Sequence, residues 1–187
     1  GKNGVFGRLG KPSTVLSIAF GEDGSTFTGT QHGTIYQWAD GGEECIQKFD
    51  FVHEGPVHDI FVTEDYIITG GNDGKVNFFT QYMEKVFAID MSKVAESIID
   101  DQGKPVCYYD GRAPCVKSLY LSDVQLLVGT STGELYEFDL STEDAWKRNR
   151  RIITQGHANA VDRTTMLFNA ELWGLACHPS KAKFITA

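Results

Sequence analysis

His53, Thr69 and Asp73 are the side chains of this 187-residue sequence whose types could do chemistry together. A base, a hydroxyl and a carboxylate are the ingredients of a hydrolytic triad. The same three types also staple neighbouring strands together, and the context favours that role. Thr69 sits in a strand-like run and Asp73 in the turn that follows it. No nucleophile elbow, paired-carboxylate motif or phosphate-binding glycine loop accompanies them. GGNDGK at 70–75 looks superficially like a phosphate loop, but it lacks the spacing and lies in a hairpin. An enzyme is not expected, and neither is a cofactor. Nor is a metal, because the four cysteines, Cys45, Cys107, Cys115 and Cys177, form no CxxC or Cys/His ligand spacing. Cys45 and Cys177 fall in strand-like runs and are expected as buried thiols.

Charge is the other source of chemistry. KRNRR at 147–151 is the dense basic run, contributing Lys147, Arg148, Arg150 and Arg151. It reads as a loop before an outer strand, either simply solvated, a nuclear signal, or a contact for an acidic partner surface. The net charge of −8 argues against nucleic acid as the main partner, since neutralising phosphates needs a basic face. No signal peptide and no apolar run of membrane-spanning length is present, so no membrane is expected and a cytoplasmic setting is the default.

These residues must be positioned by short strands. Hydrophobic residues make up 41% of the chain and glycines number 20, which together point to a globular protein with many tight turns. Four segments align. VLSIAF (15–20) is followed by FTGTQHGTIYQW (27–38), VHDIFV (57–62) by IITGGNDGKVNFF (67–79), VKSLYL (116–121) by LLVGTSTGELYEF (126–138), and LWGLAC (172–177) by FITA (184–187). Their starts lie 42, 59 and 56 residues apart, and the first interval fits a propeller repeat of about 40–45 residues. Gly29, Gly70 and Gly129 follow their starts by 14, 13 and 13 residues, and Gly33, Gly74 and Gly133 lie four further on.

Each repeat reads as a buried inner strand, a small-residue strand that allows close approach, a two-residue HG, DG or TG turn, and a strand of alternating polarity. ECIQKF, KVFAI and RIITQ are the candidates for fourth strands. Four such strands cannot bury their faces alone, and stacking them around an axis does. The expected fold is all-β, a partial WD40-like β-propeller of about three and a half four-stranded blades over 1–187, with repeats starting near 15, 57, 116 and 172 and the fourth truncated. A β-sandwich is the rival, and the repeated glycine register favours the propeller. The sequence is therefore expected to be a piece of a larger propeller, able to self-associate through exposed blade edges. Trp38, Phe79, Tyr136 and Phe138 are expected between blades and Trp173 in the core. Loop residues His32, Glu54, Asp73, Arg112 and Arg163 are candidates for a partner surface.

The stretch from Gly156 and His157 through Glu171, Leu172, Trp173, Gly174 and Leu175 to His178, Pro179 and Ser180 resembles a segment of the echinoderm microtubule-associated protein-like family. Lys11 to Gly42, HEGPVHDIFV with ITGGNDGKV, and LLVGTSTG are similar to blades of the same family, so the resemblance covers nearly the whole chain. The stretches 158–170 and 91–115 are longer than the family's. The resemblance implies a WD-repeat chain from the first propeller of a tandem atypical propeller module, and a microtubule-bound, cytoskeletal protein that contacts tubulin. Lys147, Arg148, Arg150 and Arg151, with His32, Arg112 and Arg163, are then the candidate contacts. His53, Thr69 and Asp73, with Trp38, are similar to the hydrogen-bonded network of a WD blade, although Phe79 stands where the closing tryptophan of that blade belongs. A generic WD-repeat scaffold for another complex, adaptor or ciliary, is the alternative.

Overall fold

The computed structural model describes residues 7–8, 11–39, 42, 44–99, 101–103, 114–142, 144–154, 171–178, 180–181 and 183–187. The chain forms two compact units, Gly1–Ile89 and Asp90–Ala187. The first opens with the short pair β1 (Gly7–Arg8) and β2 (Lys11–Pro12). A four-stranded sheet follows, in the order β3 (Val15–Phe20), β4 (Thr26–Thr30), β5 (Ile35–Trp38) and β6 (Cys45–Phe49). A second sheet holds β7 (Val57–Val62), β8 (Ile67–Gly71), β9 (Lys75–Phe79) and β10 (Lys85–Asp90), again in chain order.

The second unit begins with the helix α1 (Met91–Ser97). Its blade is β11 (Val116–Ser122), β12 (Gln125–Thr130), β13 (Leu135–Asp139) and β14 (Arg150–Thr154), with the one-turn helix α2 (Ala145–Arg148) inserted before β14. The hairpin of β15 (Leu175–Cys177) and β16 (Phe184–Thr186) comes last. Each sheet is an up-and-down meander in which every strand pairs with its sequence neighbour, the form of a propeller blade. The fold is all-β and WD40-like, three four-stranded blades and one hairpin of a fourth.

Three local features repeat with the blades. The inner strands of the three four-stranded blades each carry a register shift just after their first residue, at Val15/Ser17, Val57/Asp59 and Val116/Ser118. Each turn between the second and third strands is a three-residue loop, at 31–33, 72–74 and 131–133, rather than the two-residue turn expected. Gly33, Gly74 and Gly133 donate back to Thr30, Gly71 and Thr130, at 3.3, 3.2 and 3.2 Å. They close each loop with φ of 78°, 71° and 82°, the left-handed third position that such hairpins give to glycine.

The blades within each unit join through equivalent residues. In the first unit Phe27, Ile35, Val57, Ile60, Ile67 and Phe79 form one buried cluster, with Ala19, Phe49 and Val62 packed against it. In the second, Leu127, Leu135 and Leu172 are joined by Tyr120, Leu175 and Cys177. Strand register makes Leu127 the counterpart of Phe27, and Tyr120 of Ala19. The joint is tight. The Ser17 hydroxyl donates to the Val57 carbonyl at 3.0 Å, and the Ser118 hydroxyl to the Leu172 carbonyl at 2.8 Å.

Three further expectations are corrected. The inner strand of the fourth repeat starts at Leu175 rather than Leu172, because the Leu172 amide donates to the Thr130 carbonyl of the preceding blade. Trp173 is 56% exposed rather than core. Cys45 and Cys177 are half-buried free thiols rather than fully buried ones, and burial still raises the Cys177 pKa. The link after β10 contains α1, whose Met91, Val94 and Ala95 are buried at helical spacing and whose first turn is capped by Asp90 accepting from the Ser92 amide at 3.1 Å.

Candidate functional site

The second blade brings His53, Thr69 and Asp73 together. The loop between the first two blades delivers His53, β8 carries Thr69, and the 72–74 turn holds Asp73. The His53 ring bonds Asp73 Oδ1 through Nδ1 at 2.9 Å and Thr69 Oγ1 through Nε2 at 2.8 Å. Burial disfavours charge on Asp73, but the hydrogen bond and charge of His53, with the Glu54 and Lys75 amides, outweigh it and hold the carboxyl below its usual range. An ionised carboxylate only accepts, so Nδ1 donates to it, and Nε2 is left for the bond with the Thr69 hydroxyl.

Asn77 completes the set, and it was not foreseen from the sequence. Its amide donates to the Val52 carbonyl at 2.9 Å and lies 3.4 Å from both ring nitrogens of His53. Its signal is a polar residue inside the otherwise apolar KVNFF strand, where every residue after Lys75 is buried. His53 is 3% exposed and Thr69 fully buried. Asp73 is only partly buried at the turn, and the set ties loop, strand and turn together within one blade.

Trp38, expected in the same network, belongs to the first blade. Its indole N–H donates to Thr28 Oγ1 at 2.9 Å. Strand register places Thr28 and Thr69 at the same position of their blades, so the two halves of the staple are divided between neighbours. Trp38, Phe79, Tyr136 and Phe138 are all buried.

The basic run is half helix and half strand, not a loop. Lys147 and Arg148 end α2, while Arg150 and Arg151 begin β14. Lys147 pairs with Asp144 at 2.5 Å, and Arg151 with Glu137 across the β13–β14 ladder. The Glu137 hydrogen bond and charge raise the Arg151 pKa, and Lys147 lowers that of Asp144. Arg150 hydrogen-bonds to neutral oxygens, the Lys147 carbonyl and the Ser97 hydroxyl. Arg148, Arg150 and Arg151 line a cleft of about 480 Å³ together with Glu137 and Asp139.

His32 is at the tip of the first blade's loop, its Nε2 3.1 Å from the Gln31 amide. It occupies the turn position that Asp73 holds in the second blade and Thr132 in the third. Arg112 and Arg163 lie outside the described residues. A second unforeseen cluster surrounds Lys117, which is buried, sits 3.3 Å from Glu171 and lies 3.9 Å from the centre of the Trp173 ring. Among the described residues no group of three or more His, Cys, Asp or Glu is placed to hold a metal ion. No helix among them is long and apolar enough to cross a membrane.

No family model matches the chain. Curated relatives match it along 99% of its length. It is 29% identical to echinoderm microtubule-associated protein-like 2 of Mus musculus and 27% identical to echinoderm microtubule-associated protein-like 1 of Homo sapiens. It is 26% identical to the 77 kDa echinoderm microtubule-associated protein of Strongylocentrotus purpuratus. The chain spans 24%, 19% and 22% of those proteins. Among solved structures, a chain of the mitotic checkpoint complex matches 93% of it with a TM-score of 0.63 at 13% identity, over 45% of that chain. The computationally designed Ika4 protein matches 97% of it with a TM-score of 0.55 at 15% identity, over 92% of that chain. At those identities the structural matches speak for the fold alone. The chain is thus a WD-repeat-type fold that is similar along nearly its whole length to echinoderm microtubule-associated protein-like proteins.

Proposed function

We propose that the chain is a non-enzymatic part of a microtubule-associated protein, and that its blades present loops and an outer edge to tubulin in the cytoplasmic cytoskeleton. The alignment along 99% of the chain with proteins named for microtubule association carries this reading. The electrostatics of the β13–β14 edge sharpen it. Lys147 and Arg151 already have carboxylate partners, while Arg150 bonds only to neutral oxygens in its described contacts with Lys147 and Ser97. Arg148 and Arg150 are therefore the charges of the run best placed to meet an acidic surface, with His32 of the first blade, and Arg112 and Arg163, as further contacts.

Cosedimentation of the purified chain with microtubules at low and high salt tests this. Exposed ion pairs contribute roughly 0.3–0.5 kcal/mol each, so removing all four charges of the run is expected to weaken binding about tenfold at low salt. Arg148→Ala with Arg150→Ala is expected to produce most of that loss, and the wild-type affinity should fall as salt rises. Salt-independent pelleting, or a quadruple variant that binds like wild type, would remove the run from the interface. Absence of pelleting under all conditions would count against tubulin as the partner.

A further inference from the structure

Ser141 lines the cleft beside the basic run, together with Glu137, Asp139, Arg148, Arg150 and Arg151. It is exposed, in the bend between β13 and α2, where the backbone belongs to no strand or helix. A modifying enzyme must reach both a hydroxyl and the backbone around it, and a loop carried on a rigid blade allows this. The sequence from Ser141 runs STED, which sets Glu143 and Asp144 two and three residues beyond the hydroxyl. Carboxylates at that spacing after a serine are what an acidophilic protein kinase reads. Thr142 is exposed as well, but it does not line the cleft, and the third residue beyond it is Ala145.

The cleft also holds partners for a phosphate. It sets three guanidinium groups against two carboxylates. Glu137 is taken up by Arg151. Asp139 accepts from the Ser141 amide at 2.8 Å and from the Asn149 side chain at 2.9 Å. Hydrogen bonds from the Ser141 side chain, the Asn149 side chain and the Ser141 amide hold its carboxyl below the usual range. Arg148 and Arg150 have no carboxylate of their own among the described residues. Arg150 bonds to the Lys147 carbonyl and the Ser97 hydroxyl. Arg148 forms no hydrogen bond or ion pair there, and only adds its charge to the larger effect of Lys147 on Asp144.

We propose that Ser141 is a phosphorylation site and that Arg148 and Arg150 capture the phosphate within the cleft. The Ser141 hydroxyl oxygen forms a bond to the γ-phosphorus of a nucleoside triphosphate held by the kinase. The bond from that phosphorus to its bridging oxygen breaks, the nucleoside diphosphate leaves with the electron pair, and the hydroxyl proton passes to the kinase's base. The product carries a charge of about −1.5 to −2 and three strong acceptor oxygens. A guanidinium meets such an anion with two parallel donors. Asp139 loses a hydroxyl donor and faces a like charge, so it drives the phosphate towards the arginines. Capture cancels the two charges left for an acidic partner, so the modification releases that partner. This last consequence alone rests on the tubulin reading.

Treating the purified chain with ATP and an acidophilic serine kinase tests the proposal. Mass spectrometric mapping is expected to find phosphate on Ser141, and Ser141→Ala is expected to take none in that loop. Phosphorus NMR then titrates the phosphoserine. Its second pKa, about 6 when free, is expected to fall by about half a unit or more, because neighbouring cations favour the dianion. Arg148→Ala with Arg150→Ala is expected to return it to the free value. No incorporation at Ser141, or incorporation only at Thr142, overturns the site. A phosphoserine that titrates at the free value in wild type, or that is shifted equally in the double variant, overturns the capture. In cosedimentation the phosphorylated chain is expected to lose at least as much microtubule binding as Arg148→Ala with Arg150→Ala loses. Equal pelleting of the two forms overturns the release. If neither form pellets, the tubulin reading fails, and the titration still decides the capture.

Discussion

Replacing His53 with alanine is expected to destabilise the first unit by about 3–5 kcal/mol, the cost of removing one member of a buried pair and leaving the other unpartnered. The change strands two groups at once. Thr69 is fully buried and loses the ring nitrogen 2.8 Å from its hydroxyl, and Asp73 loses its 2.9 Å partner. Each unsatisfied buried group costs about 1–3 kcal/mol. Gly71→Ala should produce a comparable loss by another route, because a Cβ there would lie 2.2 Å from His53 Nδ1 and push the ring out. Urea unfolding followed by tryptophan fluorescence measures both. The pH dependence adds an independent sign. The folded pKa of Asp73 is held below the ordinary 3.8. Its stabilisation is therefore fully present above that value and is lost as pH falls through the lower folded value. Asp73→Asn should accordingly destabilise at neutral pH, with the gap to wild type narrowing in acid. A His53→Ala variant that unfolds like wild type but no longer pellets with microtubules would place this residue in a binding surface and not in a staple.

The blades were legible because their pairings are local. Every strand of a meander bonds to its sequence neighbour, so a glycine at a fixed distance from an apolar run marks a register as well as a turn. Gly29 and Gly129 were readable as points of close approach for that reason. Partners from the same hairpin, such as Thr69 and Asp73, were readable for the same reason. What escaped the sequence depends on which blade a residue faces. Leu172 begins an apolar run and looks like ladder, but its amide is taken by Thr130 of the preceding blade. Trp173 has the composition of core, yet its ring covers the ammonium of Lys117, and most of it stays exposed. Trp38 and His53 look like parts of one network, while the structure gives the indole to Thr28 one blade earlier. The helix α1 carried a readable signal in Asp90 and in the spacing of Met91, Val94 and Ala95, but seven residues are too few for periodicity to stand out from a strand-rich background.

The basic run shows the limit of charge as a guide. Four cations in five residues read as one patch, but folding assigns them different neighbours. The strand pairing that sets Glu137 opposite Arg151 neutralises one, and the turn of α2 that sets Asp144 three residues before Lys147 neutralises another. Only tertiary placement reveals which charges remain for a partner.

Gly29→Ala is expected to destabilise by about 1–3 kcal/mol, the cost of overpacking a close-packed joint, and Gly29→Val by more. Backbone strain is not the cause, since Gly29 is outside the left-handed region. Space is the cause. The added Cβ would lie 2.4 Å from Ser17 Oγ and 2.8 Å from Val57 Cβ, so both the strand pair and the blade joint must open. Ser17→Ala separates the two contacts. Alone it removes the 3.0 Å hydrogen bond to the Val57 carbonyl and is expected to cost about 1 kcal/mol. Combined with Gly29→Ala it also removes the nearest clashing atom, so the double variant should lose less than the two single losses added together, by roughly 0.5 kcal/mol or more. The second unit offers the same cycle at Gly129 and Ser118, where the added Cβ would meet Ser118 Oγ at 2.4 Å and Leu172 Cδ2 at 2.6 Å. Here the crowding atom is the tip of a leucine, which can turn aside more readily than the Cβ of Val57. Gly129→Ala is therefore expected to cost less than Gly29→Ala. Strict additivity in both cycles, or equal losses at the two glycines, would mean that something other than blade-to-blade contact restricts these positions.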